Sequence, residues 1–530
     1  MSKLNYYKII KFFQYWKENN FENKILKSYL EDIRKYYLKN NQNENQKYLL
    51  IEKIRCYPYL EFILIAIITS HLKKNKVLSF KFEKEMIDKF SRDQDAVQKI
   101  LNQIGDNKNF TINFFLYLNL KFLLQSFEIF AKIKEKKDIL KIELDGIIVG
   151  DLIYDTYLKK YNKKTVNIKS PYLLWVILQS IVILNLVKEI FLKYKIEAVF
   201  PGDVSYIYSG ILARYSVYKK INCFLFTDSI FPSLKKFDKY YYRRENYWDY
   251  RKKFNKFSNY FKKLSLIKGR DLAKQILDNG KDGNIDLPYL NSLKPHNIKF
   301  KFYEIKDEFG LIALHDFSDS PHIYRWSIFE DIYEWLVKTV SICSKTNLNW
   351  LIKPHPNSKL KDYSFLNLKK YGTKFQIIPK NLTNQSLIKK GLKIAITSHG
   401  SIAHELPYFG IPVVNAGDNP TINYKFSYSP KNIEEYKNLI TNYKNLEVKK
   451  HLKNEIYEFF YMHYLHNKFN LPFGPVYPNR EFIKKHKIID LTPKEQRMIY
   501  HKSQKTLNYL KSYRNQAIDQ FVKNNLHNAL

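Results

Sequence analysis

Three short runs in the second half of the chain concentrate side chains that bind phosphate or move protons. LHDFSDSPH carries His315, Asp316, Asp319 and His322, and KPHP carries Lys353 and His355. TSHGS carries Ser398, His399, Gly400 and Ser401, with His404 and Glu405 just beyond. Each run follows a short apolar, β-branched stretch, so each sits where a strand ends. In TSHGS small residues open a helix, and the Ser hydroxyls with free backbone N–H groups suit a phosphate. Plain N-capping by Ser398 or Ser401 fits the same spacing. Lys353 offers a point charge, and His355 a group that titrates near neutrality, its ring direction stiffened by two flanking prolines. Glu405 reads either as a partner for ribose hydroxyls or as an acid favouring the helix dipole. His315, Asp316 and Asp319 are candidate catalytic groups, because imidazoles and acids at a strand end suit proton transfer.

The first half offers a second set. Asp203 closes the run PGD, and Asp151 follows Gly150 in GDLIYD, with Asp155 one turn later. A carboxylate facing a cleft suits a general base or a nucleophile, and Asp203 is the first choice. Helix capping is the competing reading for all three. Asp151 and Arg214 are read as acceptor-side residues; Arg214 either clamps an acidic acceptor or pairs internally. There is no GxGxxG after a strand and no GxxxxGK[ST], which argues against a nicotinamide dehydrogenase and a P-loop NTPase. Asp93-Gln-Asp95 reads as solvated helix surface, and the DGNID of Asp282–Asp286 lacks the calcium-loop pattern, so no metal site is expected.

The elements that must hold these residues follow from the pattern. Residues 1–140 alternate apolar and polar positions at helical spacing with almost no Gly or Pro, which predicts a helical N-terminal region. DGIIVGD (Asp145–Asp151), IEAVFPGD (Ile196–Asp203) and NCFLFTD (Asn222–Asp228) read as strands separated by helices. They predict a first Rossmann-like domain over 141–295. A turn-rich linker, Gly280–Pro295, precedes further strands at Phe309–Phe317, Asn349–Pro356, Phe375–Pro379, Lys393–Gly400 and Ile411–Gly417. These predict a second Rossmann-like domain over 296–440, with helical sequence over 441–530. The fold class is α/β, two doubly wound domains facing a cleft, with ligands beyond the carboxyl ends of the strands.

The pairing of KPHP with SHGSIAHELPYFGIPVV resembles the nucleotide-donor half of GT-B transferases that build bacterial capsule and surface polysaccharides. It resembles most of all the capsule polysaccharide biosynthesis group that includes Kdo transferases. GDLIYDTYL, GDVSYIYSGILARYSVYKKI and FSDSPHIYRWSIFEDIYEWL resemble further blocks of surface-carbohydrate proteins, so the likeness spans roughly residues 144–430. The resemblance implies a nucleotide-sugar donor, a CMP-linked one among the candidates, with His355 near its phosphate and Ser398 and Ser401 on it. It places Glu405 near the ribose or base and a glycan or lipid-linked acceptor in the first domain. It implies no metal and no cofactor beyond the donor. Teichoic-acid glycerophosphotransferases share a similar KPHP, but their Ser-rich turn reads TDYSS where this one reads SHGS, which lowers transfer of glycerophosphate from a CDP-linked donor to the alternative.

Charge is the last clue. Lys and Arg number 89 against 51 Asp and Glu, a formal net charge of +38, which fits an acidic partner: nucleic acid, an anionic membrane face or phosphorylated substrates. A Lys excess from compositional drift explains part of it. Within Phe231–Arg270, 13 Lys/Arg and 12 aromatics stand against 3 acids. That segment suits a bilayer or acidic glycan; as a polyanion or nucleic-acid binder it carries no recognisable module, so nucleic acid ranks third. Tyr172–Val187 is apolar but contains Gln179 and Asn185 and reads as a buried helix. Cys56, Cys223 and Cys343 form no paired spacing. The expectation is a cytoplasmic protein, peripheral on the inner face of the membrane beside a polysaccharide-assembly complex.

Overall fold

The computed structural model describes residues 47–52, 76–82, 108–112, 119–202, 204–227, 233–237, 247–278, 308–324, 326–355, 358, 360, 362–380 and 382–466. Asp203, Asp93, Asp95, the DGNID run, the Gly280–Pro295 linker and Cys56 lie outside the described residues.

The first sheet contains β1 (Tyr48–Glu52), β2 (Lys76–Phe82), β3 (Lys108–Ile112), β6 (Ile196–Phe200), β7 (Asn222–Thr227) and β8 (Ser233–Lys236), in the order β3-β2-β1-β6-β7-β8. All its pairings are parallel except β7 with β8. Three of these strands come from residues 1–140, where the spacing predicts helix. β1 is the reason in miniature: its YLLIE buries Leu49, Leu50 and Ile51 completely, and a centre strand covered on both faces shows no alternation to read. DGIIVGD also differs from its expectation. It forms a small antiparallel hairpin, β4 (Glu143–Leu144) and β5 (Ile147–Ile148), around Asp145 and Gly146, both at positive φ. Asp-Gly is the favoured pair for such a two-residue turn.

Helices α1 (Leu120–Ala131), α2 (Lys136–Leu140), α3 (Gly150–Tyr161), α4 (Pro171–Lys193) and α5 (Ile207–Tyr218) accompany this sheet. α4 is the one described helix long and apolar enough to cross a membrane, and its apolar window is 72% buried. Leu173, Val176, Ile177, Ile183 and Val187 pack with Ile153 and Leu158 of α3 and Leu212 of α5 in one core. Ser170 caps α4 and Pro171 starts it.

The second sheet holds β9 (Phe309–Ala313), β10 (Asn349–Lys353), β11 (Phe375–Ile377), β12 (Leu392–Thr397) and β13 (Val413–Asn415). Its order is β11-β10-β9-β12-β13, every pairing parallel. Counted within each domain, both parallel sets run 3-2-1-4-5, so the chain reverses its direction of travel beside β1 and again beside β9. That is the Rossmann-like arrangement, with a crevice at each reversal.

A third apolar cluster joins the domains' outer parts. It comprises α6 (Tyr250–Asn255), α7 (Asn259–Leu277) and α12 (Lys453–Tyr464), the last following α8 (Ile332–Cys343), α9 (Asn384–Lys389), α10 (Ile402–Tyr408) and α11 (Ile433–Thr441). Tyr247, Tyr250, Phe254 and Leu272 pack there with Tyr424, Phe426, Phe459 and Phe460. The described part of the basic-aromatic segment is therefore divided: β8 and Phe237 belong to the first sheet and its core, while Tyr247, Tyr250 and Phe254 are core against α12. α7 and α12 cross closely at Gly269, where an added methyl would stand 2.0 Å from the Tyr457 carbonyl oxygen. Gly269→Ala must part the two helices and is expected to cost roughly 1–3 kcal/mol, read as a lower melting temperature in thermal denaturation.

Candidate functional site

The second crevice collects the residues that the sequence singled out. β9, β10 and β12 run parallel, so the loops after them share one edge. His315, two residues past β9, lies with its ring centroid 5.3 Å from His355 and 6.3 Å from His399. Tyr324 stacks on His399 at 4.2 Å and 15°. The His399 Nδ1 is 3.3 Å from the Asp418 carbonyl, which only accepts, so this nitrogen carries the proton. Asp418 is itself pinned: its buried carboxylate accepts from the Tyr247 hydroxyl at 2.9 Å and the Trp248 indole N–H at 3.0 Å. Two aromatics of the basic segment thus act from behind the site.

In the turn after β12 the Gly400 N–H donates to the Thr397 hydroxyl at 3.0 Å, closing it tightly. Ser398 is buried and its hydroxyl has no hydrogen-bond partner among the described residues. Ser401 begins α10, a helix of only seven residues, and makes no side-chain cap bond. Three imidazoles, one orphan hydroxyl and a stacked tyrosine on a single edge can donate to a phosphate and take up its developing charge.

Other predicted residues lie differently. Lys353 is buried and donates to Asn384 Oδ1 at 2.7 Å, while the Asn384 amide donates to Glu405 Oε2 at 3.0 Å. Burial pushes the Lys353 ammonium down to about 8, against the pull of Glu405. Burial raises Glu405, opposed by Ser401, by the Lys353 charge and by Asn384. The expected phosphate cation and ribose acceptor are therefore two ends of one internal relay beneath the turn. Ordinary spacing gives no sign of Asn384, which lies 31 residues from Lys353. His404 faces away, into the third cluster, with Nε2 2.8 Å from the Tyr464 hydroxyl. Asp316 accepts from the N–H and the hydroxyl of Ser318, both at 3.1 Å, and so shapes its own loop. Asp319 lies 3.8 Å from Lys159 of α3.

On the first domain, Arg214 of α5 grips Asp151 at 2.6 and 2.5 Å and also donates to the Ile148 carbonyl at 2.6 Å. This is the internal pairing. Burial raises Asp151, but Arg214 outweighs it and holds the carboxyl below its usual range. Glu52, unremarked in the sequence, ends β1 at the first crevice and accepts from the Gly202 N–H at 2.7 Å and from the Ser209 hydroxyl. It fixes the residues on either side of Asp203.

The domains meet through α3. Asp155 Oδ1 lies 2.6 Å from His322 Nδ1, and its other oxygen accepts from the His322 N–H at 3.2 Å. Asp331, which caps α8 by accepting from Glu334 N at 2.8 Å, also accepts from Tyr154 at 2.6 Å, Thr165 at 2.5 Å and Lys136 at 3.3 Å. A separate cavity of about 690 Å³ between α1 and α4, lined by Leu120, Leu124, Ile181, Leu184 and Lys188, includes none of these site residues in its lining. Among the described residues no trio of His, Cys, Asp or Glu is arranged to hold a metal ion.

No protein-family model matches the sequence, and no curated protein does. In structure the chain is similar to KpsC β-Kdo 2,4 transferase of Thermosulfurimonas dismutans, at 12% identity over 53% of this chain and 86% of that one, TM-score 0.34. It is also similar to KpsC β-Kdo 2,7 transferase of the same organism, at 13% identity over 51% and 79%, TM-score 0.32. A UDP-GlcNAc 2-epimerase from Neisseria meningitidis bound to UDP-GlcNAc is similar at 12% identity over 87% of this chain and all of that one, TM-score 0.22.

The relay under the turn is exposed to a single substitution. Asn384→Ala strands a buried ammonium and a buried carboxylate at once and is expected to cost roughly 3 kcal/mol, measured by chemical denaturation. Asn384→Asp keeps an acceptor for the Lys353 ammonium but removes the donor to Glu405 and sets two carboxylates side by side, so it too is expected to destabilise, by less than Asn384→Ala.

Proposed function

We propose that the chain is a glycosyltransferase that moves a sugar from a nucleotide-activated donor to a growing capsule or surface polysaccharide. The observation that carries this reading is the convergence of His315, His355 and His399 at the second crevice. The motif likeness of KPHP and SHGS gives that convergence a substrate class. In such a transfer the bond from the anomeric carbon to the nucleotide phosphate breaks, and negative charge gathers on the departing phosphate. Donors already aimed at it lower the barrier without reorganising. His355 and His399 are assigned to the phosphate, with the Ser398 and Ser401 hydroxyls beside them. Lys353 and Glu405 hold the turn from below. Asp203 remains the choice for removing the acceptor hydroxyl's proton, with Asp151 and Arg214 on the acceptor side. The protein is assigned to the cytoplasmic side of the membrane, where nucleotide sugars and lipid-linked acceptors meet.

A thermal-shift panel of CMP, CDP, UDP, UMP and GDP tests the donor site. A nucleotide present at about 100 times its Kd adds about 2.7 kcal/mol of apparent stability, a shift of several degrees. His355→Ala and His399→Ala are each expected to weaken that nucleotide by about tenfold or more. If no nucleotide shifts the protein, or both variants bind as the wild type does, the reading fails. A response to CDP-linked glycerol alone would favour the glycerophosphotransferase instead.

A further inference from the structure

We infer that His322 is the positioning residue of the donor site: by holding Asp155 across the domain junction it sets the loop that carries His315 and Tyr324. The inference rests on the transferase reading for what the loop binds, and on geometry alone for what holds the loop. Residues 314–324 leave β9, present His315 to His355 and His399, and end at Tyr324, which stacks on His399. Two residues before that tyrosine, His322 makes both a side-chain and a backbone bond to one carboxylate of α3. The Tyr154 ring meets the His322 ring edge-on at 4.8 Å, and Lys159 reaches Asp319 on the same loop. The first domain therefore grips the loop along its outer half, while its inner half faces the crevice.

The grip depends on a proton. The His322 side chain is 13% exposed, with Asp155 and Tyr154 of α3 against it, and with Asp151 and its Arg214 partner, and Asp331 backed by Lys136, nearby. Its Nε2 is buried with no partner among the described residues, so no other bond holds the ring in place. Burial favours the neutral ring, but the Asp155 charge and hydrogen bond outweigh it, helped by Asp151 and Asp331, and raise His322 above its ordinary 6.5. The sign follows. A raised histidine contributes fully below its unfolded value and loses that contribution as pH climbs through the folded one. Burial likewise raises Asp155, to about 6, so the junction binds protons on closing and loosens in alkali.

The test measures affinity for whichever nucleotide stabilises the wild type, at about pH 6 and about pH 9. His322→Asn keeps a donor for Asp155 but does not titrate. The three crevice histidines face the ligand in both proteins, so the difference between the two pH dependences belongs to His322. The wild type is expected to lose about tenfold more affinity than His322→Asn over that range, a coupling of ordinary size. Hydrogen–deuterium exchange of residues 315–324 in the ligand-free protein gives a second readout. The wild type should lose protection at the higher pH after correction for intrinsic exchange, and His322→Ala should lack it at both. Equal pH dependence in wild type and His322→Asn, with unchanged loop protection in His322→Ala, overturns the inference. Should no nucleotide bind the wild type, the transferase reading fails, and loop exchange alone decides whether His322 holds the loop.

Discussion

Parallel pairing outward from one central strand, first to one side and then to the other, is the constraint that organises this protein twice. Every strand in such a set must end on the same edge, and the loops beside the reversal point cannot close over one another. In the second domain the central strand is β9, and the crevice lies between its loop and the one after β12. Histidines 84 residues apart in sequence become neighbours without any local signal that they should. The first domain repeats the order around β1, and there Glu52 braces the turn before Asp203. Chemistry on each edge is thus inherited from topology, and side-chain detail only refines it.

Placement by topology also explains which parts of the site were legible in sequence. The strand-end runs LHDFSDSPH, KPHP and TSHGS are compact and follow β-branched stretches, so their shared edge could be deduced from the strand pattern. Nothing comparable marks Asp418, Asn384 or Asp331. Each is a single polar residue with a partner far off in sequence: Tyr247 lies 171 positions from Asp418, Lys353 31 from Asn384 and Tyr154 177 from Asp331. The strands of residues 1–140 were hidden for a different reason. β1, a centre strand with Leu49, Leu50 and Ile51 all buried, has no period of two, and short apolar runs between polar stretches satisfy a helical template equally well. DGIIVGD has the composition of one short strand, but its Asp-Gly makes a hairpin turn between two.

The same logic revises the meaning of the basic-aromatic segment. From composition alone, interleaved lysines and aromatic rings suggest a surface for a polyanion or bilayer. In the fold the two residue types separate. Tyr247, Tyr250 and Phe254 are buried against α12 and the 424–426 region, while Lys256, Lys263 and Lys268 stay exposed. Burying a large ring contributes more than an exposed lysine's ion pairing, so these three aromatics go to the core, while Tyr260 and Phe261 stay exposed. The segment's described contribution to the site is indirect, through Tyr247 and Trp248 on Asp418.

The buried ionisable groups are harder to justify by stability, and that points to their role. Lys353 and Glu405 do not touch; Asn384 stands between them and satisfies one atom of each. An apolar trio of similar volume would avoid two desolvated charges, and buried pairs of this sort are often neutral or worse for stability. What an apolar trio would not supply is direction. The relay ties the end of β10, the start of α9 and the first turn of α10 together with bonds that tolerate little displacement. Those are the elements that carry His355 and the SHGS turn. The Asp155–His322 and Asp331 contacts do the same for the loop after β9, from the other domain. Each loop of the crevice is therefore held by a buried polar group attached to a different element, and the spacing of the three imidazoles is the sum of those restraints.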